Sequence, residues 1–457
     1  MSGTVYIVHS IDTEGPLFES VEAKFERLAE LFGLSGIEPS RANLERLARG
    51  EIDLGSQTEQ IRTVLKSHKA NTLGSWDQVE EMLQRVCSPA FRQQYPDSDG
   101  QGWVFNWFCM DHVGYVNNPR KRDIGFLNIH DYYSDLVQSQ PWARDTLEFH
   151  FHPISTYRDA HRCATHYLRS DELYQSLCRR VIDRRFFPAS YRAGFQTERP
   201  DSHWFLEQFI PYDISNMATE DTSDIDSSID FRNGRSGNWR KAPSDWSVYH
   251  PSHDDYQVPG SCRRLIGRAL NLRSRIGNMT QKEMDKAFAR AAKGQDTVVG
   301  LCSHDWRDLQ PEVESALQML KVSRSQYPGV RFKYGQTVEA FWSQLSDTQK
   351  SQAPLQLSLT FHAEVPGVDV PYIEVRTVQG RVFGPQPFLA IRTKGQRYIH
   401  DNLDFSTEDG VWYYPFHGDT LPLVDVDAIG VAANDMLGNT VVLHCRNNSG
   451  DALVQMP

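Results

Sequence analysis

Apolar and polar positions follow two different rhythms along this chain. From residue 4 to about 345, short apolar runs alternate with stretches whose apolar residues recur every three or four positions. The runs at 4–11, 103–110, 146–151, 189–193, 211–215, 297–302 and 330–334 have the length of strands. The stretches 19–33, 41–49, 76–87, 131–139, 170–183, 201–209, 279–293 and 311–326 read as amphipathic helices. Ser75, Ser170-Asp171 and Thr280 stand at helix starts, the last with Glu283 placed for a capping box. Six or seven strand-then-helix units predict a parallel α/β sheet or barrel. Residues 216–260 break the rhythm; they are polar, rich in Ser and Asp, and predict a long loop.

After Gln352-Ala353-Pro354 the runs become short, several alternate strictly, and Gly, Pro, Asn and Asp separate them. That pattern predicts an all-β sandwich of about 100 residues. The division expected is therefore 1–350 for the α/β domain and 351–457 for an accessory β-domain. One buried face of the sandwich should carry Leu357, Leu359, Ile373, Val375, Leu389, Ile391, Val441 and Leu443.

Composition narrows the function more than the fold. The 457 residues suffice for two or three domains of roughly 100–200 residues each. A net charge of −11 with both signs intermixed argues against nucleic acid as a partner. The densest basic run, "RRLIGRALNLRSR" at Arg263–Arg275, reads as one face of a helix, either solvated or set against a phosphate or acidic sugar. Seven cysteines form no CxxC pair and most lie in apolar contexts, as reduced buried thiols of a cytosolic protein do. No run of ~18 apolar residues and no basic-then-apolar leader occurs, so neither a membrane span nor a signal peptide is expected. A cytoplasmic location follows as the expectation.

In parallel α/β domains chemistry gathers beyond the carboxyl ends of the strands. Here the strand ends carry Asp12 and Glu14; Asp111 and His112; Glu148, His150 and His152; Arg192; Asp213 and Ser215; and His304 with Asp305. Residues two apart on a strand face the same way, so His150 and His152 point together, as do Asp12 and Glu14. Two neutral imidazoles plus a carboxylate make a divalent-metal site with positions left open for water. Of Asp12 and Glu14, one can bind metal while the other serves as base, and a histidine across the site can protonate a leaving amine. Gly15-Pro16 then turns the chain aside. The set suits metal-assisted amide hydrolysis. Trp107, Trp204 and Trp306 are either sugar-stacking or packing residues. Arg120, Lys121 and Arg122 form either a solvated loop or a hold for phosphate or uronate.

These motifs resemble the polysaccharide deacetylase and carbohydrate esterase superfamily, which shares the NodB homology fold. "SIDTEG" is similar to its first motif, "EFHFHPIST" to its second, "YRAGF" to its third and "CSHDWRD" to the motif of the leaving-group acid. "FNWFCMD" and "PYDIS" resemble two intervening strands, and "WFCMDHVGYVNNPRKRDIGFLNIHDYY" is similar to a divergent WbmS-like subgroup associated with O-antigen gene clusters. The resemblance covers roughly residues 4–345 in chain order. It implies a distorted (β/α)7-type barrel and removal of an N-acetyl group from a sugar.

The resemblance also assigns residues. Asp12 would be the base, oriented by Arg192. Glu14, His150 and His152 would hold zinc, with cobalt, manganese or nickel as alternatives. The second motif's usual histidine is replaced by Thr156, so His150 substitutes for it, and His161, His166 and His130 are further candidates. His304 would be the acid, oriented by Asp305 or Asp308. Asp111, His112, Asp213 and Trp306 are expected near the substrate. A cytoplasmic enzyme of this kind would act on a nucleotide- or lipid-linked sugar. Two other functions fit the same residues: a metal-dependent hydrolase of a non-sugar C–N bond, and a carbohydrate-binding barrel without catalysis.

Overall fold

In the computed structural model, seven parallel strands close on themselves into a barrel. The structure describes all residues except 1, 67–71, 161–163, 165, 224–236, 275, 364–369, 448–451 and 457. The strands are β1 (Thr4–Thr13), β2 (Phe105–Cys109), β3 (Thr146–Phe151), β4 (Ser190–Ala193), β5 (Tyr212–Asn216), β6 (Leu265–Asn271) and β7 (Thr297–His304). They lie side by side in chain order, and β1 pairs with both β2 and β7 to close the ring.

An eighth strand, β8 (Arg331–Tyr334), joins β1 along Thr4–Ile7, while β2 takes β1 along His9–Thr13. The barrel is thus split at its amino end, where β8 pairs with the lower part of β1. The buried Asn106 spans the fork: its Nδ2 donates to Gly335 O at 3.2 Å, and its Oδ1 accepts from Thr337 N at 2.8 Å. Satisfying these backbone groups inside the core avoids the cost of burying them unpaired.

The helices expected from the periodicity are present. Ser75 caps the helix Trp76–Val86, accepting from Gln78 N. At the start of Gln281–Ala292, Thr280 accepts from Glu283 N, but the Glu283 carboxylate goes to Arg268 Nη1, 2.6 Å away. Ser170 precedes Asp171–Arg184 without capping it; its hydroxyl accepts from Ile154 N instead. Between β1 and β2, the helices Val21–Phe32, Arg41–Arg49 and Thr58–Lys66 form a small cluster around Phe25, Leu28, Leu47 and Ile61.

The largest departure from the sequence reading is Arg263–Arg275. It is no helix face: Leu265–Asn271 is β6, a fully buried barrel strand. Arg264 and Arg268 are buried with carboxylates from elsewhere in the chain, Arg264 between Glu198 and Asp213, and Arg268 on Glu283. A buried guanidinium is tolerated only with such partners, and they lie outside the run itself. The polar stretch 216–260 also contributes buried groups of its own, Trp239, Tyr249 and Tyr256 in one small core and Trp246 in the main one.

Residues beyond 355 form two antiparallel sheets of four and five strands. These comprise β9 (Gln356–His362), β10 (Tyr372–Gln379), β11 (Phe388–Thr393), β12 (Tyr398–Asp401), β13 (Asp404–Phe405), β14 (Val411–Pro415), β15 (Val426–Asn434), β16 (Thr440–Asn447) and β17 (Leu453–Gln455). Leu357, Leu359, Ile373, Val375, Leu389 and Ile391 are buried in one core that draws on both sheets, with Val441 and Leu443 partly buried against it.

The five-stranded sheet also packs on the barrel. Phe388, Ala390, Ala428 and Ala432 share a core with Leu173, Leu177, Cys178 and Val181 of the helix Asp171–Arg184. The approach is closest at Gly430, where an added Cβ would lie 2.4 Å from Val181 Cγ1. Gly430→Val is expected to destabilise the protein by about 1–3 kcal/mol through overpacking. A thermal unfolding curve at the wild-type midpoint would contradict the packing described. Among the described residues no helix is long and apolar enough to cross a membrane.

Candidate metal centre

The register of the barrel brings the predicted strand-end residues to one mouth. Asp12 on β1 stands level with His304 on β7, and His150 on β3 stands level with Arg192 on β4. Glu14 follows β1 by one residue, and His152 follows β3 by one. Glu14, His150 and His152 are all buried, and one ligand atom from each lies within 4.8 Å of the others. His150 Nε2 and His152 Nε2 are 2.9 Å apart, and Glu14 Oε1 lies 3.9 and 3.8 Å from them.

A divalent ion fits these donors. Zinc–ligand bonds of about 2.0–2.1 Å give ligand-to-ligand edges of roughly 2.8–3.4 Å in octahedral or tetrahedral sites. The edge between the two imidazoles, 2.9 Å, falls in that range, and the two edges to Glu14, 3.9 and 3.8 Å, are longer. The tautomer of His150 is fixed by its other nitrogen: Nδ1 donates to Arg192 O at 2.9 Å, leaving the Nε2 lone pair toward the centre. Donation from a ligand imidazole to a carbonyl is the usual outer support of such sites. Burial, with His150, His112 and Arg122 nearby, holds the His152 pKa well below the ordinary histidine value, so its ring is neutral and able to bind a cation.

His152 needs a bare backbone beside it. An added Cβ on Gly194 would lie 2.1 Å from His152 Cδ2 and 2.7 Å from Nε2. Gly194→Ala is therefore expected to displace the ring and weaken zinc binding about tenfold or more, as read by calorimetric titration. Unchanged affinity would mean that His152 is not a ligand in this position.

The second carboxylate is arranged differently. Asp12 Oδ1 accepts from Arg192 Nε at 2.7 Å, and Arg192 Nη1 donates to Ile214 O at 3.0 Å. The other oxygen, Oδ2, lies 3.5 Å from Cys302 Sγ and 3.8 Å from His304 Nε2. Cys302 is a thiol rather than a thiolate there, its pKa raised chiefly by burial. Arg192 thus occupies one oxygen of Asp12 and leaves Oδ2 to Cys302 and His304.

His304 is the open side of the site, with 21% of its side chain exposed. The partner at its Nδ1 is Arg307, whose Nη2 donates at 3.1 Å; Arg307 Nε in turn lies 3.2 Å from the buried Glu312. Asp305 and Asp308, expected to orient His304, do neither. Asp305 follows His304 directly and faces the other way. It accepts from Glu14 N at 2.9 Å, from Gly15 N at 2.8 Å and from Tyr133 OH at 2.9 Å, so it braces the turn after β1. Burial pushes its carboxyl up to about 6 despite those donors. Asp308 pairs with Arg85 at the surface. Burial, with Arg307 and Arg192 close by, holds His304 well below the ordinary histidine pKa. Its Nδ1 accepts and its Nε2 carries the proton.

The other predicted residues divide. His112 is buried beside the centre, its Nε2 donating to Glu14 O at 3.2 Å. Asp111 is engaged by Arg180 Nε at 3.3 Å and Leu127 N at 3.1 Å. Asp213 is fully buried on Arg264 and Ser215 N. Trp306 flanks His304, ring centres 4.8 Å apart, whereas Trp107 is a core residue and Trp204 lies exposed on the helix Pro200–Phe209. His130 packs edge-on against Phe186, and His166 is an exposed side chain 3.8 Å from Asp201; neither joins the ligand group. His161 and Cys163 lie outside the described residues.

Sequence reasoning missed Arg307 and Glu312 and left Arg122 open. Arg122 Nη2 is 2.7 Å from Glu14 Oε2. Its place in a loop after β2 carries no periodicity that would mark it.

No protein-family model matches the chain, and no curated protein or solved structure is detectably similar to it.

Proposed function

We propose that this protein is a metal-dependent amidohydrolase that removes an N-acyl group, acetyl in the simplest case, from a sugar or a sugar-linked precursor. One observation carries the reading. A buried Glu14–His150–His152 group stands beside Asp12, a carboxylate with one oxygen anchored by Arg192 and the other beside the Cys302 thiol and His304. The NodB-like barrel assigned from the strand-end motifs is compatible with the closed seven-stranded parallel barrel. Zinc suits two imidazoles and one carboxylate best, with cobalt, manganese and nickel as alternatives.

A divalent cation held by these three residues would supply Lewis acidity, polarising the acyl oxygen and easing deprotonation of water. The remaining work falls to the chain's own groups. Asp12 takes a proton from the attacking water on Oδ2, while Arg192 keeps Oδ1 in place. A positioned base of this kind contributes about 10²–10⁴-fold. Asp12 then returns that proton to the departing amine, and His304 Nε2–H, 3.8 Å from the same oxygen, hydrogen-bonds the leaving nitrogen. Arg307 fixes the tautomer that this requires. The sugar component of the proposal rests on the resemblance.

The test is acetate release by zinc-loaded protein from a panel of free and nucleotide-linked N-acetyl sugars, beside a ureide and a cyclic imide. Acetate release from at least one sugar, abolished by chelator, is expected. Hydrolysis of the ureide or imide alone would move the activity to a non-sugar C–N bond. Bound zinc without any turnover would argue for a binding protein.

A further inference from the structure

We propose that Arg122 is the positioning residue of the metal centre, holding Glu14 so that a single carboxylate oxygen faces the two imidazoles. The inference rests on the reading of Glu14, His150 and His152 as metal ligands. Arg122 Nη2 lies 2.7 Å from Glu14 Oε2, whereas Oε1 is the oxygen near His150 Nε2 and His152 Nε2, at 3.9 and 3.8 Å. The two oxygens of Glu14 thus have separate partners. Both residues are withdrawn from water, Arg122 with 9% and Glu14 with 4% of its surface exposed, so the attraction between them is little screened.

The loop before Arg122 is built to deliver it. Asn118 clasps its backbone from both sides: Oδ1 accepts from Arg122 N at 2.7 Å, and Nδ2 donates to Arg122 O at 2.8 Å. Lys121 turns the chain in the left-handed region, at φ 49°. The guanidinium then lies over Trp306, 5.9 Å from the ring centre. The same device serves the base, since Arg192 holds Asp12 Oδ1. The other oxygens, Asp12 Oδ2, which also accepts from the Cys302 thiol at 3.5 Å, and Glu14 Oε1, both face His304 Nε2, at 3.8 and 3.9 Å. Without Arg122 the terminal torsion of Glu14, which is intrinsically broad, would let the carboxylate turn and present either oxygen or both. Arg122 therefore acts on the metal through Glu14, not by contact with it.

Two effects of opposite sign separate under mutation. Removing a cation from beside the site would by charge alone tighten metal binding. Losing the orientation of Glu14 would weaken it. The experiment is calorimetric zinc titration of the full chain as wild type, Arg122→Gln, Arg122→Lys, Glu14→Ala and the Arg122→Gln/Glu14→Ala double variant. Arg122→Gln is expected to weaken zinc about 10–100-fold, the range for outer-shell partners. Arg122→Lys should recover much of that loss by restoring a charged donor. In the Glu14→Ala background Arg122→Gln should add no further loss, because its effect passes through Glu14. A folded Arg122→Gln that binds zinc as tightly as wild type, or more tightly, overturns the proposal. So does an equal loss with and without Glu14. If Arg122→Gln does not fold, Asn118→Ala, which leaves the guanidinium in place, should show a smaller loss; wild-type affinity there would count against the proposal. Wild-type protein that takes up no zinc would overturn the metal reading itself, and this inference with it.

Discussion

Replacing His152 with alanine should leave the purified protein without stoichiometric divalent metal. Three donors would share the ion, and each would contribute a large part of its hold. Structural zinc sites with four ligands bind with about 10–16 kcal/mol, or roughly 2.5–4 kcal/mol per ligand. At about 1.4 kcal/mol per decade, the loss of one ligand is roughly a hundred- to a thousandfold. His150→Ala should weaken binding at least about tenfold by the same reasoning. That variant also strips the partner from the carbonyl of Arg192, to which His150 Nδ1 donates. His304→Ala is the contrast, since His304 stands outside the ligand group and its loss should leave the metal in place. Elemental analysis of the three variants decides the matter. Full occupancy in both His150→Ala and His152→Ala would remove these histidines from the ligand set.

Asp12→Asn should keep the metal and lose most of the turnover. Asparagine is nearly isosteric, and its oxygen can still accept from Arg192 Nε where Asp12 Oδ1 does now. What changes is the other side. The amide nitrogen that replaces Oδ2 has no lone pair with which to take a proton from water, and it would meet the Nε2–H of His304 donor to donor. The expected fall in kcat is about 10²–10⁴-fold, the contribution of a positioned base. The measurement is single-turnover acetate release on whichever N-acetyl sugar the wild type accepts, with metal content determined on the same samples. Wild-type rates would deny Asp12 the role of base. Loss of metal in this variant alone would exchange the roles of Asp12 and Glu14.

The α/β part of the fold was legible because parallel barrel strands are short apolar runs buried on both faces, and their helices carry a clear 3.6-residue period. β3 falls at Thr146–Phe151, as its run predicts. The strand that escaped, β6, did so for a physical reason. Arg264 and Arg268 disguise a buried strand as a basic surface, and the carboxylates that neutralise them are Asp213, Glu198 and Glu283. No local pattern reports a partner fifteen or more residues away.

The site divides along the same line. Asp12 with Glu14, and His150 with His152, were visible because a two-residue spacing on a strand fixes a common direction. Asp213 is also a polar residue near a strand end, yet it faces Arg264. The groups that hold the site residues in place are non-local. Arg122 comes from a loop after β2, and Arg307 reaches back to His304 from the turn after β7. Asp305 was read as a partner of His304 because it is adjacent in sequence, but adjacency along extended chain turns neighbours to opposite sides, and it braces Glu14 and Gly15 instead.

Anomalous diffraction at the zinc edge, from crystals of the full chain grown with one equivalent of zinc, tests the central claim most directly. The account predicts a single strong peak about 2.0–2.2 Å from Glu14 Oε1, His150 Nε2 and His152 Nε2, beside Asp12 Oδ2. A peak elsewhere, or no peak at these atoms in protein that is otherwise ordered there, would contradict it.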